Sequence, residues 1–228
     1  MKLSELFSKY NISLTSSQED MFLKYFEFLV EENQKYNLTA ITEKEEVFFK
    51  HFLDSALPIS IFKKNASVID VGSGAGFPAV PLKILKDSLS VTMVDSLNKR
   101  VNFLNCLCAL LDLKNISAIH ARAEDYIKNN REKFDYAVAR AVAPLNTLLE
   151  YLVPYLKVGG RCVIYKSQKL DEELKNAENA IKVLNVKIEK ILTYQIGDAE
   201  RKILVMQKFA STNAKYPRGK NLPKLKPL

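Results

Sequence analysis

The segment Val68-Ile69-Asp70-Val71-Gly72-Ser73-Gly74-Ala75-Gly76-Phe77-Pro78 constrains this chain more than any other. An apolar run enters three glycines at alternate positions and then a proline. That pattern describes a strand turning sharply into a helix. Glycine lets the backbone turn and admits a ligand without Cβ interference, and proline suits the first helical turn, where its missing N–H costs little. A ligand is therefore expected at the carboxyl end of this strand, by the helix N-terminus.

The rest of the chain agrees with such a unit. From residue 66 the short apolar runs SVIDV, SVTMVD, ISAIHA, YAVAR and RCVIYK alternate with helix-length stretches. Alternation of this kind implies βαβ units and a parallel sheet with right-handed crossovers. A polar helix is expected near 170–184. Two further strands, VKIEKILTYQI and RKILVMQKF, are then separated by a short break at Gly197-Asp198 that suits a hairpin. The expected architecture is α/β: a Rossmann-like class I methyltransferase fold with a seven-stranded, mostly parallel sheet and an N-terminal helical cap. The cap is expected over residues 1–60, the ligand-binding domain over 61–210 and a basic tail over 211–228, all in one structural unit. Within the cap, Ser16 and Glu19 form a capping-box pattern, and Phe22, Tyr25, Phe26, Leu29 and Val30 share one helical face over 15–36. A second helical pattern covers 44–57.

Two cofactors compete for the glycine loop. Gly74-Ala75-Gly76-Phe77-Pro78-Ala79 formally matches a dinucleotide-binding variant, whose helix N-terminus would cradle a pyrophosphate. Asp70 favours S-adenosyl-L-methionine instead. Its carboxylate can engage the methionine ammonium, directly or through water, and would repel a pyrophosphate; the bland alternative is a strand-end acid capping loop amides. Asp95 ends the second strand 19 residues after Gly76, the spacing of an acid that accepts from ribose hydroxyls in either cofactor. Ala123 and Glu124 follow the third strand, where a backbone N–H and a carboxylate could read an adenine edge, although Glu124 is equally readable as a surface helix acid.

Charge suggests a polyanionic partner. The formal net charge is +8, and residues 211–228 supply +5 of it through Lys215, Arg218, Lys220, Lys224 and Lys226 with no acid. Nucleic acid is the first candidate, a solvated tail the alternative. No run of about 18 apolar residues exists, and the N-terminus lacks the apolar core of a signal peptide; no membrane partner and a cytoplasmic location are expected. Of the three cysteines, Cys106 and Cys108 lie in a helical pattern, and neither they nor Cys162 have partners at metal-ligand spacing, so reduced core thiols and no metal are expected.

Taken in order, Asn37-Leu38-Thr39-Ala40-Ile41, His51-Phe52-Leu53-Asp54-Ser55, the glycine loop, Val94-Asp95-Ser96-Leu97 with Lys99-Arg100, and Phe103-Leu104 are followed by Arg122-Ala123-Glu124, Phe134-Asp135, Ala139-Arg140-Ala141, Gly159-Gly160, Lys166 and Tyr216-Pro217-Arg218. Over roughly residues 20–228 this series resembles the RsmG (GidB) family of bacterial 16S rRNA guanine-N7 methyltransferases. The glycine loop alone is generic; the ordered set is far more specific. Ala79 stands where the family usually has glycine, and Lys166-Ser167 where it usually has Lys-Gly. The resemblance implies S-adenosylmethionine contact by Gly72, Gly74, Gly76, Phe77, Ala123, Glu124 and Arg140, and a monomer acting on the decoding-region loop of 16S rRNA or on the small ribosomal subunit.

Guanine N7 carries a free lone pair, so in-line attack on a sulfonium methyl needs alignment and no general base. Arg140 is expected to position substrate or cofactor; its alternative is a strand-end arginine paired with a loop carboxylate. His51 and Asp54 either line the target-base pocket or dock the cap. His51, Arg122, Lys166, Arg218, Lys220, Lys224 and Lys226 are the candidate RNA contacts. The tail, following the last strand, is expected to contribute nothing to the glycine-loop crevice, though Tyr216-Pro217-Arg218 could fold back on the core.

Overall fold

In the computed structural model, residues 2–166 and 168–228 are described; Ser167 lies outside them. The cap opens with α1 (Leu3–Ser8) and α2 (Ser16–Tyr36). The capping box sits one residue earlier than the sequence suggested. Thr15 is extended, so its hydroxyl accepts from the Gln18 amide at 3.2 Å while the Gln18 side chain accepts from the Thr15 amide at 3.0 Å. Glu19 is thereby free to accept from the amide and hydroxyl of Ser4, at 3.0 and 3.1 Å, which ties α1 to α2. Phe22, Tyr25 and Leu29 are buried along the expected face, with Phe26 and Val30 half-buried at its margin. The second helical stretch is α3 (Lys44–Val47), a π-helical segment over Phe48–Leu53 and α4 (Asp54–Ala56).

The sheet follows from β1 (Ser67–Val71), β2 (Ser90–Asp95), β3 (Ile116–His120), β4 (Phe134–Arg140), β5 (Leu156–Lys166), β6 (Val186–Ile196) and β7 (Ala199–Lys208). Their spatial order is β3-β2-β1-β4-β5-β7-β6; β1 to β5 run parallel, and β7 runs antiparallel to both β5 and β6. The chain reverses between β1 and β4 at the centre of this order, which opens a crevice at the carboxyl ends of the strands. Alternate residues face opposite cores, as a pleated strand requires. Val68, Met93, Tyr136 and Val163 pack beneath α2, α5 (Ala79–Leu85) and α6 (Asn98–Leu110). Ile69, Val94, Ala137 and Ile164 face α8 (Leu145–Leu152) and the pair α9 (Leu170–Asn176) and α10 (Glu178–Val183), which replaces the single helix expected there. Ala79 is fully buried at the start of α5, so the small residue the packing needs is present.

The tail folds back along the core, anchored at a few residues, while its lysines stay exposed. Arg131 donates to the carbonyls of Thr212 and Ala214, at 3.5 and 3.4 Å, and to that of Tyr216. The Tyr216 ring is buried in the α8-side core. The Arg218 guanidinium meets both carboxylate oxygens of the fully buried Glu150, at 2.7 and 2.9 Å, so it is held in an ion pair within the fold. The short helix α11 (Leu222–Leu225) packs on α8, where Thr147 Oγ1 donates to the Pro223 carbonyl at 3.0 Å. No helix among the described residues is long and apolar enough to cross a membrane.

Candidate active site

The glycine loop is bent as its composition demands. Gly72 has φ +76°, and a Cβ there would approach Val142 to 2.9 Å. Gly74 has φ +58° and donates to Asp95 Oδ2 at 2.9 Å, with no protein atom nearer than 3.9 Å to the place a Cβ would occupy. Gly76 differs: a Cβ would strike the Tyr25 hydroxyl at 2.8 Å and Val80 at 2.9 Å. Its smallness serves the packing of the cap onto α5. The Tyr25 hydroxyl also donates to the Ala75 carbonyl at 2.5 Å, so α2 braces the loop from behind.

Asp70 lies sealed beneath this loop, fully buried, with neither carboxylate oxygen hydrogen-bonded. Burial pushes its pKa well above the ordinary carboxylate value, against opposing pulls from the Ala79 amide, the Ser73 hydroxyl and Arg140. An orphaned buried carboxylate is costly unless a donor or cation reaches it. That is the electrostatic demand an amino-acid ammonium, or a water it orients, would meet. Asp95, at the end of β2, accepts from the Gly74 and Leu97 amides, each at 2.9 Å. A carboxylate has about four lone-pair sites, so capacity for hydroxyl donors remains.

A crevice of about 300 Å³ extends from Gly72 along Val94 and Ser96 to Arg122, Ala123 and Glu124. Glu124 opens the four-residue helix α7 (Ala123–Tyr126) and its side chain is largely covered, with Arg122 Nη1 at 3.6 Å. The Ala123 carbonyl is held by the Tyr155 hydroxyl at 2.6 Å. Asp70, Asp95 and this α7 end thus fit an amino acid joined to an adenosine, and the sealed acid offers no place for a pyrophosphate. The tail enters here too: Asn221 and Lys224 complete the lining, contrary to the expectation that residues after the last strand stay clear of the crevice. The cause is the fold-back on α8.

A larger cavity, about 770 Å³, adjoins on the other side of Val142, which lines both. Arg140 stands in its wall. It donates to Asp54 Oδ2 and to the Lys50 carbonyl, each at 3.0 Å, and to His51 Nδ1 at 3.2 Å, and its guanidinium lies 4.8 Å from the Phe77 ring centroid. Arg140 pairs with a carboxylate, as its alternative reading expected, and lines the cavity. His51 and Asp54 likewise line the cavity while docking the cap. His51 Nδ1 also lies 3.1 Å from the Lys50 carbonyl, and Nε2 faces Thr39 Oγ1 at 2.8 Å. Burial first, then Arg140, lowers the His51 pKa to about 4, leaving the ring neutral. Burial raises the pKa of Asp54 in spite of Arg140 and of Arg201, whose Nε lies 3.6 Å away. The Phe77 ring is buried against Tyr25 and His51, with centroids at 5.4 and 4.6 Å, so it serves as the floor beneath Arg140. Lys166 projects into the cavity but is paired with Glu173 at 2.5 Å. Arg201, from β7, joins the same wall and carries no motif that would have marked it.

The cysteines stay outside both cavities. Cys108 and Cys162 are buried, which pushes their thiols up to about 11 and about 12, and Cys106 is exposed on α6 rather than in the core. No cluster of metal-ligating side chains occurs among the described residues.

Comparison with known proteins decides the family. The family model for rRNA small subunit methyltransferase G (GidB) matches residues 18–204. The chain belongs to the rRNA small subunit methyltransferase G family. It is 46% identical to Ribosomal RNA small subunit methyltransferase G of Streptococcus pneumoniae (strain ATCC BAA-255 / R6), covering 98% of this chain and 97% of that protein. It is 45% identical to the protein of the same name from Brevibacillus brevis, covering 100% and 98%. Among solved structures, a SAM dependent methyltransferase from Aquifex aeolicus aligns with TM-score 0.57 at 18% identity, covering 78% of this chain and 98% of that one. A ribosomal protein L11 methylase from Lactobacillus delbrueckii subsp. bulgaricus aligns with TM-score 0.57 at 21% identity, covering 71% and 79%. At those identities the alignments bear on the fold, which is the expected Rossmann-like methyltransferase arrangement.

Proposed function

We propose that this family member transfers a methyl group from S-adenosylmethionine to N7 of a guanine in the RNA of the small ribosomal subunit. The observation that carries the reading is the shared wall at Val142: a crevice suited to an amino-acid nucleoside meets a cationic cavity large enough for a nucleotide. S-adenosylmethionine supplies an electrophilic methyl on a sulfonium. Gly72 and Gly74 let the backbone close on it, Asp95 and Glu124 hold its adenosine, and Asp70 balances its ammonium.

On the acceptor side, Lys50, Arg140, Lys166, Lys169 and Arg201 surround the larger cavity and outnumber its carboxylates, Asp54, Glu172 and Glu173. That surplus suits phosphates flanking an extruded base. N7 brings its own lone pair, so no side chain has to remove a proton. His51, held neutral and already hydrogen-bonded, is positioned to shape the pocket and keep Arg140 in place. Arg140 positions the base edge through a guanidinium fixed by Asp54, His51 and Phe77. Rate enhancement then comes from alignment across Val142.

The test is methyl transfer from labelled S-adenosylmethionine to naked 16S rRNA, an assembly intermediate and complete small subunits, with large subunits as control. Label entering small-subunit RNA in at least one form supports the reading. Label in protein or large-subunit RNA alone, or a protein stabilised by NAD and not by S-adenosylmethionine, would overturn it.

A further inference from the structure

The motif residues account for three sides of the cofactor crevice: the glycine loop, the end of β2 and the start of α7. The fourth side comes from Asn221 and Lys224, which lie beyond the last motif. Beyond β7 the chain runs back across the α8 face, and three separate attachments fix its path. Tyr216 is buried among core residues, Arg218 meets the buried Glu150 through its own amide at 2.7 Å and through its guanidinium, and the Pro223 carbonyl accepts from Thr147. Arg218 also donates to the Lys226 carbonyl at 2.7 Å, which closes the segment into a loop around α11. Residues held this firmly are structural parts of whatever they face. What Asn221 and Lys224 face is the crevice between Gly72 and Glu124.

We propose that the C-terminal segment completes the cofactor site: Asn221 and Lys224 cover its adenosine end, and the Arg218–Glu150 pair holds them there. The proposal rests on the reading of the crevice as the S-adenosylmethionine site. Its chemistry is specific. A carboxamide offers one donor face and one acceptor, which complements the amino group and adjacent ring nitrogen of adenine. The Lys224 ammonium brings donors to the same rim as Glu124, which by itself supplies only acceptors. Asn221 sits in the left-handed region, φ 61°, which asparagine tolerates better than most residues, so its place at the head of α11 suits the backbone there. The excess positive charge of the tail thus divides between two tasks. Arg218 and Lys224 belong to the cofactor side, whereas Lys215, Lys220 and Lys226 remain for a polyanion.

Calorimetric titration with S-adenosylhomocysteine and with 5′-methylthioadenosine, which lacks the amino acid, tests this. Asn221→Ala and Lys224→Ala are each expected to weaken both compounds by the same factor, about tenfold, the equivalent of about 1.4 kcal/mol. Glu150→Gln removes no atom from the crevice, yet it is expected to weaken both compounds as well. Lys224→Ala should then cost less in the Glu150→Gln background than in the wild type. Thermal melts identify variants that fold; should Glu150→Gln fail to do so, the exposed Lys224 decides alone. Folded Asn221 and Lys224 variants that bind both compounds like the wild type would overturn the proposal while leaving the cofactor reading intact. A wild type that binds neither compound would remove the cofactor reading, and this proposal with it.

Discussion

Replacing Arg140 by methionine tests whether the bond between cap and sheet is the one described. Arg140 and Asp54 are 3.0 Å apart, with side chains only 15% and 8% exposed, so solvent screens the pair little. Removing the cation leaves Asp54 with Arg201 at 3.6 Å and frees the Lys50 carbonyl and His51 of their donor. Breaking a buried pair on one side costs about 3 kcal/mol. For a chain of this size that lowers the Tm by roughly 6–12 °C. The loss depends on pH in a definite sense. Asp54 already has a folded pKa above its usual value of 3.8, through burial, and losing Arg140 raises it further. As pH rises past the unfolded value, the unfolded chain gives up its proton first, so stability falls; acidification restores it. The gap between wild type and variant should therefore be widest at pH 8 and narrow towards pH 5. Methyl transfer should be lost at either pH. Adding Asp54→Asn removes the uncompensated charge and should recover most of the stability with none of the activity. Melts at both pH values measure this. A loss under about 1 kcal/mol that is equal at both pH values, or a double variant no more stable than the single one, would refute the reasoning.

Other expectations are simpler. His51 has a folded pKa of about 4 against an ordinary 6.5, so wild-type stability should fall as pH drops through that interval, where the unfolded chain binds the proton first; a melt series with His51→Gln, which should lack this limb, checks it. With no general base, single-turnover methyl transfer should be flat in rate from pH 6.5 to about 8.5; a limb with a slope of one would require a titrating base. Gly72→Val places a Cβ within 2.9 Å of Val142 at a positive φ and should abolish the melting shift given by S-adenosylmethionine. Replacing Cys106, Cys108 and Cys162 together by serine or alanine should leave most transfer in any variant that folds; complete loss in a cofactor-binding variant would argue for a thiolate. Neutralising Lys220 and Lys226 should reduce the salt slope of RNA binding by roughly 1.8 on duplex RNA at about 0.9 per contact, and coincident slopes would make the tail a cofactor element alone.

The sheet was legible because short apolar runs alternate with helix-length stretches, and the loop because glycine at alternate positions has few other uses. Arg140 and the HFLDS segment were each visible, but not their bond, since Asp54 and Arg140 lie 86 positions apart. The fold-back of Tyr216-Pro217-Arg218 was legible, but the tail's part in the crevice was not, because the partner that fixes Arg218 is a buried acid 68 residues earlier on α8. Glu150 is the one charged residue of the helix LNTLLEYL, and that lone acid was the available signal. Arg201 and Asn221 lay beyond sequence reasoning, because a strand arginine and a loop asparagine acquire meaning only once β7 and α11 are placed. Asp70 and Gly76 were marked by the motif, but their depth beneath the loop depends on how α2 packs against it.

The central claim is that a base-free site aligns a methyl donor with a ring nitrogen lone pair, and the identity of the methylated atom tests it most directly. Small subunits lacking the modification are incubated with the protein and S-adenosylmethionine, and the rRNA is digested to nucleosides for mass spectrometry against synthetic standards. The account predicts 7-methylguanosine as the new nucleoside. Methylation at N1, N2 or a ribose hydroxyl, each of which must shed a proton, would contradict it.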